Sequence, residues 1–205
     1  MRLLVACCVV GLCAFAVTRG WSIVRFAQAE AGITAHEVGV DAIRPWIGTP
    51  GLTGIALHAS LTKMTNSGIE DTRRRAADLT AFLAMRPLSA TEWLSFAGMR
   101  LVTGQPYAGV LAALTMSSVT GPNEGPVMVQ RAIFGLLQWE ALPSEARQRT
   151  IGDLAEAIRG NVAGDGAMAV AKNLLRAKSP EVRSEIVGLL RVDRIPTTEL
   201  VRMGL

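Results

Sequence analysis

The stretch PLSATEWLSFAGMRLVTGQP, residues 87–106, decides the fold. Pro87 closes whatever precedes it, and Ser89 with Glu92 forms an S-x-x-E capping box, the pattern that satisfies exposed N–H groups at a helix start. Leu88 and Trp93 occupy the flanking positions of a hydrophobic staple, which would fix the angle at which the chain enters the helix. Trp93, Ala97 and Leu101 recur at four-residue spacing and so share one face. Thr103-Gly104 ends the segment, and Pro106 suits the first turn of another helix with Val110, Ala113 and Leu114 inward.

Working outward, the same periodicity continues in both directions with no strand-like alternation. Toward the C-terminus, the turn-rich run Thr120 to Pro126 opens a helix with a broad apolar surface: Met128, Val129, Ala132, Ile133, Leu136 and Trp139. Pro143-Ser144 starts the next, with Ile151, Leu154, Ala155 and Ile158 inward and Gly160 as a stop. Two more follow, Asp165 to Lys178 and Pro180 to Val192, the second with Ser179 as N-cap and Val182, Ile186 and Leu189 inward. Toward the N-terminus, Ser67 and Glu70 form another capping box before a helix reaching Met85, and Leu52, Ile55, Ala56 and Ala59 make an apolar stripe. The fold class is therefore all-α: a hydrophobic leader helix followed by antiparallel helix pairs.

The whole chain has 205 residues, 50% hydrophobic and 19% charged, with a net charge of +4. That is enough apolar material for a core and too much for a disordered chain. Twenty Gly without a period and three Cys exclude collagen-like and disulfide-stapled scaffolds. The expected organisation is a leader over 1–24, a connecting segment over 25–50, a helical domain over 51–160, and C-terminal helices over 161–205 packing on it.

The leader reads LLVACCVVGLCAFAV over residues 3–17, preceded by Arg2 and followed by Thr18-Arg19-Gly20. A positive start and an apolar helix is the layout of a secretory signal. Ala14-Phe15-Ala16 offers a small-x-small cleavage pattern with the cut before Val17. Fifteen residues span only about 22 Å as a helix, against a hydrocarbon core of roughly 30 Å. Extended through Trp21 to Val24, with Arg19 snorkelling, the run is long enough to be retained as an anchor. The expectation is a single-pass protein of a bacterial inner membrane, held through residues 3–24, with its body in the periplasm; the alternative is a cleaved, soluble periplasmic chain. All three cysteines, Cys7, Cys8 and Cys13, fall inside the leader.

Pro87 and Pro122 lie 35 residues apart, and in register Trp93 falls over Met128, Ala97 over Ala132 and Leu101 over Leu136. Pro87, Trp93 and Ala97 follow the spacing of the tetratricopeptide repeat, which the chain resembles over residues 67–160. Arg100 stands where that repeat has a Tyr-type residue, and Gly109 where it has Ala. The stretches at 87–106 and 120–143 also look similar to small membrane-anchored proteins of bacterial polysaccharide loci. That resemblance implies a part in assembling or exporting a cell-surface polysaccharide.

Catalytic motifs are sparse. His36 and His58 have no zinc-spaced partners, and no G-x-S-x-G elbow, Walker or dinucleotide fingerprint occurs. The turn at Thr120 to Pro126 lacks the Lys of a phosphate loop. Neither a metal nor a cofactor is expected, nor nucleic acid as a partner. The expected function is a non-enzymatic scaffold contacting another envelope protein, with Arg73, Arg74, Arg75, Arg100, Asn123 and Glu124 as the partner surface. The rivals are a carbohydrate-active enzyme using paired carboxylates, and a binder of anionic lipid or nucleic acid through Arg73, Arg74 and Arg75. Trp93 and Trp139 lie in core stripes and are read as packing residues rather than sugar platforms.

Overall fold

The computed structural model describes the backbone of residues 2–35, 39–63, 69–160 and 165–205, and the side chains of 7–35, 39–62, 72–160 and 166–205. His36 and the side chains of the Ser67/Glu70 capping box lie outside them. Among the described residues every regular element is helical, as the periodicity requires. The chain divides into two compact units between Met85 and Arg86. The division falls inside the span expected to be one domain, at the junction where Pro87 interrupts the helical run.

In the first unit, α1 (Arg2–Thr34) continues well past the expected leader. Its apolar portion, Cys7 to Val24, is exposed along its large side chains, whereas Phe26 and Ile33 are buried. These two pack with Ile43, Ala56 and Ala59 from the segments that follow. The region expected to be a mere connection holds a 3₁₀ helix, Val40–Trp46, whose Trp46 ring meets Phe26 edge-on at 5.7 Å. Next come α2 (Thr53–Lys63) and α3 (Ile69–Met85). Asp78 of α3 joins all three elements, taking a hydrogen bond from Ser60 at 3.1 Å and one from Arg44 at 3.2 Å. Ser60 and Asp78 are both buried, so these bonds replace the water that each lost on folding. His58, on α2, is exposed with its ring 5.9 Å from Phe82.

The second unit begins with α4 (Ala90–Val102) and α5 (Tyr107–Thr120), an antiparallel hairpin. Ser89 is the N-cap, but its hydroxyl bonds the Glu92 carboxylate rather than a backbone N–H. The expected staple does not form: Leu88 is 77% exposed, and Trp93 instead donates its indole N–H to the Pro87 carbonyl at 2.7 Å. The Trp93 ring is half-buried beside Phe96. That polar bond holds the indole at the turn. Pro106 is the N-cap of α5 rather than part of its first turn.

Arg100 and Gly109 meet in space across the α4–α5 hairpin. The Arg100 guanidinium lies over the Phe96 ring at 4.6 Å, and a Cβ at Gly109 would collide with it. The small residue on α5 leaves room for the large one opposite on α4.

Then come α6 (Gly125–Leu137), a 3₁₀ turn at Trp139–Ala141, α7 (Ser144–Gly160), α8 (Asp165–Ala177), α9 (Pro180–Val192) and α10 (Thr197–Met203). The broad face of α6 is used on both sides. Val127 joins Ala97, Val110 and Ala113 of the α4–α5 hairpin, while Ala132 and Leu136 join Leu154, Leu175, Ile186 and Leu190. Trp139 is fully buried and donates to Glu185 of α9 at 3.2 Å. Ser179 caps α9 as expected, accepting from the Val182 N–H at 3.3 Å.

Candidate functional site

The centre of the second unit is a charge inside the apolar stripe of α6. Arg131 is 2% exposed, flanked in sequence by Val129, Ala132 and Ile133. A guanidinium here must find every partner within the protein, because burying an unpaired charge costs several kcal/mol. It does so on two elements. Its Nε and Nη2 donate to Oδ2 and Oδ1 of Asp153 on α7, both at 2.8 Å, a planar two-bond fork. Its Nη1 donates to the carbonyls of Ser117 at 3.1 Å and Gly121 at 2.9 Å, at the C-terminal end of α5. Those carbonyls lie at the negative end of the α5 dipole, and the Ser117 carbonyl also accepts from the Gly121 N–H at 3.2 Å. Ser117 extends the network by donating its hydroxyl to the Ala90 carbonyl at 2.8 Å, so α4, α5, α6 and α7 meet at one buried polar seam.

Burial pushes the Asp153 carboxyl above its ordinary value, with the hydrogen bonds and charge of Arg131 opposing the shift. Both carboxylate oxygens accept from Arg131, which casts Asp153 as a structural counter-ion.

The seam opens on one side into a groove. Arg131 and Asp153 contribute to two adjoining hollows, of about 200 Å³ and about 310 Å³. The first has Leu111 and Leu114 in its floor and Glu145 and Arg149 at its rim. The second is bordered by Asn123, Glu156 and Arg159. Arg149 reaches across from α7 to the Thr115 hydroxyl at 2.9 Å and also pairs with Glu145. Arg159 pairs with Glu156 and donates to the Asp193 carbonyl at 2.8 Å. The rim thus alternates sign, and the floor is partly apolar.

The expected partner-surface residues scatter over the structure. Asn123 borders the groove, and Glu124, exposed beside it, is the N-cap of α6. Arg100 sits at the opposite end of the α4–α5 hairpin, laid over Phe96 and Gly109. Arg73, Arg74 and Arg75 belong to α3 of the other unit: Arg73 is exposed, Arg74 pairs with Asp41 at 3.1 Å, and Arg75 is half-buried. The residues that build the groove, Arg131, Arg149 and Asp153, are not among those six. A lone Arg inside an apolar helical stripe was their one visible signal. Among the described residues no cluster of His, Cys, Asp and Glu could hold a metal ion. No protein-family model matches the sequence, and comparison with curated proteins and with solved structures finds no match.

Proposed function

We propose that this protein is a membrane-anchored helical scaffold whose second unit docks a segment of another envelope protein in the groove beside Arg131 and Asp153. The observation that carries the reading is the anatomy of that groove: an apolar floor with Leu111 and Leu114, ringed by acids and bases together. A mixed rim around an apolar centre is how protein–protein interfaces are built, whereas a polyanion would call for one sign of charge. The paired helices α4–α5 and α6–α7 hold the groove rigid, as stacked helix pairs do in repeat proteins. Likeness to the tetratricopeptide repeat and to polysaccharide-locus proteins suggests a place in assembling or exporting a surface polysaccharide, with the body on the periplasmic side of an inner membrane.

Retention of α1 as an anchor is the favoured form of attachment. Cleavage before Val17 would leave Trp21, Ile23 and Val24 exposed to water on a helix whose next turns carry the buried Phe26 and Ile33. A photo-crosslinking amino acid placed at Asn123 in cells tests the docking. The expected result is a discrete adduct from Asn123 and none from exposed Val102, at the far end of α4. Identical adducts from both positions, or none from either, would count against it.

A further inference from the structure

The junction between the anchor and the first unit constrains how the protein meets the bilayer. The uncharged run Leu3–Thr18 holds sixteen residues. As a helix it covers about 24 Å, roughly 6 Å short of a hydrocarbon core of about 30 Å. A modest local thinning of the bilayer makes up that difference, which sets the boundary at Arg19. The Arg19 side chain is turned toward the first unit. Its guanidinium lies against Gly51, where a Cβ would collide with it. Gly51 also has a φ of +77°, so a side chain is disfavoured there on two counts.

We infer that the Gly48–Gly51 turn lies in the headgroup layer of the bilayer that α1 crosses, making the first unit a body seated on the lipid surface. Since the Arg19 guanidinium lies beside Gly51, the turn sits close to the depth of Arg19. Three further observations agree. Gly48, Pro50 and Gly51 are exposed, so the described residues leave most of the turn open. Residues 45–55 carry no charge, so seating them against the hydrocarbon boundary desolvates no ion. On α1 itself, Trp21 is 63% exposed between Arg19 and Arg25, the pairing of aromatic ring and cation that suits an anionic interface.

This inference rests on retention of α1 as an anchor, and its test separates the two. Native cysteines are replaced (Cys7→Ala, Cys8→Ala, Cys13→Ala), and a single environment-sensitive fluorophore is placed by Pro50→Cys or, as control, Thr34→Cys. Thr34 is exposed at the far end of α1, fourteen residues beyond Gly20 and so about 21 Å further along the helix. The full chain is reconstituted into phosphatidylethanolamine–phosphatidylglycerol vesicles containing lipid with a nitroxide near the headgroup. The expected result is that the Pro50 label loses most of its emission, with a blue shift, while the Thr34 label keeps its own. Equal quenching at the two sites in protein that floats with the vesicles overturns the seating alone. Protein that does not float with the vesicles overturns the anchor, and the seating with it.

Discussion

Arg131 and Asp153 lock α6 to α7 through two parallel hydrogen bonds of 2.8 Å, while the third nitrogen of the same guanidinium closes the end of α5. One side chain thereby joins three helices, and removing it leaves the largely buried Asp153 carboxylate without its cation. Arg131→Met should lower the stability of the second unit by about 3–5 kcal/mol. Replacing both partners, Arg131→Met with Asp153→Leu, should recover much of that loss, because no charge is then left unpaired. Denaturant titrations of the two variants in detergent check both statements. A double variant no more stable than the single one would show that the seam is held by something else.

Two glycines should respond to alanine with opposite sign. Gly135 faces Thr150 where α6 crosses α7, and an added Cβ would lie 2.8 Å from the Thr150 Cβ and nearer still to the rest of that side chain. Gly135→Ala should therefore cost about 1–3 kcal/mol through overpacking. Gly188, in the interior of α9, is exposed with nothing near the added carbon. Gly188→Ala should stabilise by about 0.5–1 kcal/mol through helix propensity alone. Thermal melts of the two variants beside the parent settle the signs.

A pH-dependent tie joins the 3₁₀ turn after α6 to the end of α8. Lys178 donates to both oxygens of Glu140, at 2.9 and 3.0 Å, and this holds the Glu140 carboxyl below its ordinary 4.5. A folded-state value below the unfolded one means that the contribution is present above 4.5 and disappears as pH falls through the lowered value. Glu140 is largely exposed, so water screens the pair and its worth is under about 1 kcal/mol. Glu140→Gln should melt slightly below the parent at neutral pH, with the gap closing in acid. A gap that widened in acid would reverse the assigned shift.

Helices whose ends carry chemical punctuation were legible residue by residue. Ser179-Pro180 marks the start of α9, Pro143-Ser144 that of α7, and Ile151, Leu154, Ala155 and Ile158 are all buried as their spacing requires. The groove was not legible, because Arg131 and Asp153 are 22 residues apart and meet only through the register of the α6–α7 hairpin. Nothing local to either residue encodes that register. The 3₁₀ helix Val40–Trp46 was hidden for a different reason: it contains Pro45 and is too short to show a period. The unformed staple at Leu88 shows a side-chain hydrogen bond, from Trp93 to the Pro87 carbonyl, prevailing over an apolar contact in a solvent-exposed turn.

The central claim is that α1 stays on the mature protein as its membrane anchor, and the most direct test is the intact mass of the chain recovered from cells, with its location. The expected result is an uncut chain of about 21.8 kDa in membranes, resistant to alkaline carbonate extraction. A chain beginning at Val17 and recovered in the soluble fraction would contradict the account.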